Sequence, residues 1–258
     1  MSYETLAVST DDRGVVDLCL NRPDARNAMS GKMIEELADF AATHGKAARA
    51  IVLRGAGTVF CAGGDLGWMK AQIEADRQTR RAEARKLAMA LKALNEMSAP
   101  MIGRLHGGAF GGGVGLACIC DTVVAEAETK FGLTETKLGL IPATISPYVL
   151  ARMGEGKARR VFMSSRIFGA DEACDLGIVA KVVGADDLDA AVEAEVAPYL
   201  SVAPGAVGRS KALARFLGPR IDQATIDETI DRLVETWETD EAASGIAAFL
   251  NKTKAPWT

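Results

Sequence analysis

Histidine is scarce in this chain. Only His44 and His106 occur, and neither stands at a recognisable spacing from a serine or cysteine. That argues against a Ser–His or Cys–His nucleophile pair. Each reads instead as structural, His44 near a helix end before Gly45. Basic excess is also missing. Thirty Lys and Arg face 34 Asp and Glu, for a net charge of -4. Aromatics are 5% and form no stripe with Lys or Arg. A surface built to neutralise phosphates would need both, so nucleic acid is not the expected partner. The five cysteines form no CxxC pair and no zinc-like spacing. An odd, scattered set suits reduced core residues, which predicts a reducing, cytoplasmic setting and no metal. No apolar run reaches 18 residues, so no transmembrane span is expected. The start, MSYETLAVST, lacks the basic head and apolar core of a secretory leader. No GxxxxGK[ST] phosphate loop occurs.

Glycine is what the chain has in concentration. Gly107-Gly108-Ala109-Phe110-Gly111-Gly112-Gly113 holds five glycines in seven residues and runs directly into an apolar segment ending at Cys120. A flexible linker would be polar on both sides. Dense glycine lets a backbone approach a ligand closely. If residues 112–119 are helical, the N–H groups at their start favour an anion or a developing oxyanion. A second glycine loop, Phe60-Cys61-Ala62-Gly63-Gly64-Asp65-Leu66, precedes Trp68-Met69.

Around these loops the pattern alternates. Residues 5–8 and 15–20 read as strands joined by a turn at 11–14, with Val16, Leu18 and Leu20 on one face. Ser30 caps a predicted helix to about residue 42, whose apolar positions recur at helical spacing. Strands are predicted at 50–54, 100–105, 122–125 and 178–183. Helices are predicted at 87–97, 146–153, 158–163 and 170–176, and residues 72–85 are highly charged. Strands alternating with helices indicate a largely parallel α/β core. Past Asp187 only helical patterns remain, at 188–200, 203–217, 221–238 and 241–250.

Six segments together resemble the enoyl-CoA hydratase/isomerase family, the crotonase superfamily, along nearly the whole chain. They are Leu20-Asn21-Arg22-Pro23 with Arg26-Asn27-Ala28-Met29; residues 60–66; His106-Gly107 with the triple glycine; Cys120-Asp121; Phe131-Gly132-Leu133-Thr134-Glu135; and Leu138-Gly139-Leu140-Ile141-Pro142. The resemblance implies a spiral of ββα units over residues 1–186 that binds acyl-CoA. It implies a helical oligomerisation region over residues 187–258, with trimers or dimers of trimers. No cofactor is implied beyond the coenzyme A of the substrate. Gly64 and Gly112 would donate two N–H groups to the thioester oxygen, and Glu135 would be the acid/base. Arg26, Ala28, Ala62, Gly63, Asp65, Leu66 and Trp68 would line the substrate site, with Arg22 and Lys70 as further cations near phosphate. Lys252 resembles a lysine that reaches coenzyme A from a neighbouring subunit.

One departure stands out. Hydratases of the family usually carry a second glutamate two residues after the triple glycine, and here that position is Gly115. The glycine is expected to make room for a longer or branched acyl chain. The segment Ile141-Pro142-Ala143-Thr144-Ile145-Ser146-Pro147-Tyr148 is similar to that of hydratases acting on 3-methylglutaconyl-CoA or an isohexenyl relative. Ser146, Tyr148 and Arg152 are then candidates to meet a second carboxylate. The expected activity is hydration of a 2-enoyl-CoA. The alternatives are 3,2-enoyl-CoA isomerisation with a single glutamate, and a non-catalytic acyl-CoA- or RNA-binding protein on the same fold.

Overall fold

Strand β1 (Leu6–Thr10) turns back into β2 (Val15–Leu20) where Asp11 Oδ1 accepts the N–H groups of Arg13 and Val15, each at 2.9 Å. The chain is described here from a computed structural model covering residues 3–45 and 47–258. Helix α1 (Gly31–His44) begins where Ser30 Oγ accepts Met33 N–H at 3.2 Å, and it buries Met33, Ile34, Leu37 and Phe40. His44 ends it, with its ring stacked on Phe40. Then come β3 (Ala50–Gly55), α2 (Leu66–Glu74), α3 (Arg77–Asn95), β4 (Met101–Leu105), β5 (Gly108–Phe110), α4 (Gly112–Ile119), β6 (Thr122–Glu126) and β7 (Lys130–Gly132). A single 3-10 turn, Glu135–Leu138, follows. Helices α5 (Ser146–Met153) and α6 (Glu155–Phe162), strand β8 (Phe168–Gly169), α7 (Ala170–Leu176) and β9 (Lys181–Val183) complete the α/β part. The chain ends in α8 (Leu188–Val196), α9 (Pro204–Leu217), α10 (Gln223–Trp237) and α11 (Asp240–Leu250).

The large sheet has the order β1-β2-β3-β4-β6-β9, and every pair but β1–β2 is parallel. Parallel neighbours need crossovers, and α1, α3 and α4 supply the first three. A second sheet, β5-β7-β8, stands apart. Strand β5 leads into the triple glycine and β7 into the turn of Glu135. The main core fills the space between the sheet and α1, α3 and α4. The other face of the sheet, Val15, Ala50, Ile102 and Val124, is covered by Leu188, Ala191, Val192 and Val196 of α8.

Some expectations shift. Residues 66–74 are helical, because Asp65 caps α2. The charged stretch 72–85 is largely the outer face of α3. Its charge pairs α3 with α10, through Arg81–Asp231 at 2.7 Å and Arg85–Asp227. The 188–200 helix stops at Val196 and continues as a 3-10 turn through Pro198, whose ring cannot donate. Three short strands, β5, β7 and β8, were not anticipated.

Candidate active site

Three backbone segments lie side by side. Ala62 N–H donates to Arg26 C=O at 3.0 Å, Met29 N–H to Gly63 C=O at 2.8 Å, and Asp65 N–H to Met29 C=O at 3.1 Å. On the other side, Cys61 N–H donates to Gly108 C=O at 3.1 Å and Phe110 N–H to Cys61 C=O at 3.0 Å. The 61–65 loop is thereby held between residues 26–29 and β5. Side chains would not fit at this seam. A Cβ on Gly113 would stand 2.7 Å from Cys61 O, and Gly63, at φ +97°, faces Phe110 O. A Cβ on Gly112 would stand 1.9 Å from Met29 Cε, the flexible end of that side chain, which would have to move aside.

With these bonds spent, the N–H groups of Gly64 and Gly112 donate to no acceptor among the described residues. Gly112 is the first residue of α4, whose opening N–H groups have no partner within the helix. The positive end of the helix therefore lies against the 61–65 loop, where Gly113 meets Cys61 and Gly63 meets Phe110. Free N–H groups at a helix start can stabilise an anion.

Glu135 stands at the same place. A Cβ on Gly111, at φ +49°, would lie 2.9 Å from Glu135 Oε1, so the carboxylate rests over the start of α4. The Gly111 N–H in turn donates to Gly132 C=O at 2.8 Å, tying β7 to the triple glycine. Glu135 Oε2 is sealed from solvent and has no hydrogen-bond partner among the described residues. Burial pushes the carboxyl up to about 7, partly opposed by a backbone bond within the residue. Lys137 is exposed and makes no ion pair with Glu135. A carboxyl half-ionised near neutrality suits proton transfer in both directions.

The other sequence-derived residues divide. Arg26, Ala28, Ala62 and Gly63 converge on the seam. Arg26 is exposed and makes no side-chain ion pair among the described residues, whereas Arg22 Nη1 is held by Ala28 O at 2.6 Å and Asp65 Oδ2 at 2.9 Å. Asp65 is structural. Its Oδ1 caps α2 through Gly67 and Trp68 N–H. Burial opposes its charge, but Trp68 N–H, Arg22 and Gly67 N–H outweigh that and hold the carboxyl below its usual value. Leu66 is exposed, and Trp68 packs toward α3 with Nε1 3.4 Å from Glu83 Oε2. Lys252 is exposed beyond α11 with its backbone N–H on Phe249 C=O.

Two residues depart from expectation. The space beside Gly115 is already filled, since a Cβ there would stand 2.4 Å from Ile145 Cγ2. Tyr148 is 2% exposed and lines a separate cavity of about 870 Å³, whose lining residues include neither the triple glycine nor Glu135. Its neighbour Arg152 spends its guanidinium on the carbonyls ending α4, and Ser146 Oγ donates to Ala143 C=O at 2.6 Å. His106 Nε2 donates to Gly57 C=O, 2.8 Å away, outside the site. Sequence reasoning missed Met29 under Gly112, Ile145 against Gly115, and α11. A Cβ on Gly139 would lie 2.5 Å from Glu241 C, so α11 packs by its backbone on the Glu135 turn. Only Gly139 and Gly245 signalled that approach.

The model of the enoyl-CoA hydratase/isomerase family matches residues 10–258. The chain belongs to that family. A crotonyl-CoA hydratase of Syntrophomonas wolfei is 32% identical over 260 residues, covering 99% of this chain and 98% of the relative. The crystal structure of an enoyl-CoA hydratase from Shewanella pealeana superposes with a TM-score of 0.80 at 35% identity, covering 99% of this chain and 97% of that one. Pseudomonas aeruginosa AtuE gives 0.80 at 36% identity, covering 98% and 99%. The fold is therefore the crotonase fold, and the chain is a member of a family of lyases and isomerases acting on enoyl-CoA.

Proposed function

We propose that this chain hydrates the 2,3 double bond of a 2-enoyl-CoA, with Glu135 as its acid/base and no cofactor beyond the substrate's own coenzyme A. The observation that carries the reading is the sealed, unpartnered Oε2 of Glu135 beside the unspent N–H of Gly112. The carboxylate takes a proton from water, whose hydroxide adds to C3. The electron pair of the double bond moves to the thioester, where the Gly64 and Gly112 N–H groups hold the enolate oxygen. The protonated Glu135 then returns its proton to C2. Arg26 and Lys70 are proposed to meet the coenzyme A phosphates, and the Ala28 and Ala62 backbone the adenine.

A branched acyl chain such as 3-methylglutaconyl is the proposed substrate class, on the likeness of residues 141–148. Ser146 and Arg152 are engaged elsewhere, so a second carboxylate would need another partner. We also propose a trimer or dimer of trimers in a reducing compartment. Trimerisation draws support from α9, which buries none of its residues.

A second reading is 3,2-enoyl-CoA isomerisation, favoured by Ile145 filling the place beside Gly115. There Glu135 would take a proton from C2 and return it to C4 through the same enolate. Loss of the near-ultraviolet enoyl-thioester absorbance from a 2-enoyl-CoA supports hydration. Its gain from a 3-enoyl-CoA supports isomerisation. No change with either, alongside salt-dependent nucleic-acid binding, would remove both.

A further inference from the structure

Among the described residues, two buried ones other than glycine have left-handed backbone, Asn27 and Ser165. Asparagine tolerates that conformation, and the Asn27 side chain bonds three backbone groups nearby. Serine does not favour it, and Ser165 holds φ +51° at 2% exposure. Glycine would adopt the same backbone with less strain. The hydroxyl is what serine adds.

That hydroxyl reaches the turn of Glu135. Lys137 N–H donates to Ser165 Oγ at 3.1 Å. Thr136 Oγ1 lies 2.5 Å from Ser165 Oγ and donates its own hydrogen to Met163 C=O at 3.2 Å. Each hydroxyl has one hydrogen, so the direction is fixed: Lys137 N–H to Ser165, Ser165 to Thr136, Thr136 to the Met163 carbonyl. The chain of bonds joins the loop after α6 to the two residues that follow Glu135. On the other flank, Phe131 of β7 pairs with Phe168 of β8. Glu135 is thus held between two attachments to the same loop. Residues in sparsely populated backbone conformations persist where the surroundings demand them, often at functional sites.

We propose that Ser165 is a positioning residue for the reaction, fixing the Thr136–Lys137 turn so that the Glu135 carboxylate stays over Gly111. The role rests on the reading of Glu135 as the acid/base. It concerns no contact with substrate, so it acts on turnover and leaves coenzyme A binding alone.

The test uses Ser165→Gly, which deletes the hydroxyl while easing the backbone, and Thr136→Val, which breaks the same chain from the other side. Both are expected to melt close to the parent while kcat falls roughly 10-fold or more at unchanged KM, because small misplacements of a reacting group are costly. Thr136→Ser keeps the hydroxyl and should retain parental kcat. The Glu135 titration, followed by carbon NMR against Glu135→Gln, should move in Ser165→Gly. Parental kcat and an unmoved titration in Ser165→Gly would overturn the positioning role while leaving an inactive Glu135→Gln unexplained by it. Full activity in Glu135→Gln would overturn instead the reading on which the role rests.

Discussion

Glu135 carries a cost in the folded chain wherever its carboxyl is ionised. Its carboxyl is pushed from 4.5 up to about 7, first of all by burial. Between those values the folded chain holds a proton that the unfolded chain has released. Stability contributed by this group is therefore present below about pH 4.5 and lost as pH rises through about 7. Glu135→Gln keeps the shape and has no charge to bury. Its Tm should exceed the parent's at pH 8, and the two should converge below pH 4.5. Activity should move the other way. Acid–base help is worth roughly 10²–10⁴-fold, so Glu135→Gln should retain under about a tenth of the parental rate. In the parent, kcat/KM should climb with pH through about 7, as the base form appears. A pH-independent rate over that range would contradict the assignment. A thermal melt and a pH–rate profile check both halves, and a purely structural glutamate would not give opposite signs.

At the scale of elements, the contact between α4 and α5 decides what Gly115 is for. From the sequence, the glycine was expected to open space for an acyl chain. The space is instead taken by Ile145, at the start of α5. A side chain at residue 115 and one at residue 145 exclude each other. Gly115→Glu alone should cost about 1–3 kcal/mol, as overpacking does, and should not improve hydration of a straight-chain 2-enoyl-CoA. Adding Ile145→Gly should recover much of that stability and raise hydration above the single variant. Equal melting of Gly115→Glu and the parent would show that Ile145 moves aside freely. The same contact shows what was legible beforehand. Helix α1 and strands β2, β3 and β4 were plain, because their apolar positions follow the helical or strand period. The glycine loops and Glu135 were legible through order and spacing. Strands β5 and β7 were not, being three residues long and partly glycine. Ile145 on Gly115, Met29 beneath Gly112 and α11 on Gly139 were not, because each is a meeting of residues distant in sequence with no period to mark it.

At the scale of the whole molecule, α9 is tied to the body by polar contacts, Lys211 Nζ to Asp121 Oδ2 at 2.7 Å and Arg215 Nη1 to Asn95 C=O at 2.9 Å, while its apolar end stands in solvent. It buries none of its residues, and Leu213, Phe216 and Leu217 are 57%, 71% and 74% exposed. Large apolar side chains clustered on one helix end mark an interaction surface more often than a solvated one. If that surface joins copies of the chain, sedimentation equilibrium should give three or six times 27.2 kDa. Phe216→Asp with Leu217→Asp should then give a single-chain mass without lowering the cooperativity of melting, since neither side chain supports the fold. The exposed Lys252 offers a second test of the assembly. If it reaches coenzyme A bound by a neighbour, Lys252→Ala should raise KM in the assembled protein and leave kcat near parental. In the dissociated protein KM should already be raised, and Lys252→Ala should add nothing further. That non-additivity is the sign of a shared contact. Equal increments of Lys252→Ala in both backgrounds would place the lysine on its own chain's substrate, and a parent that sediments as one chain would remove the assembly altogether.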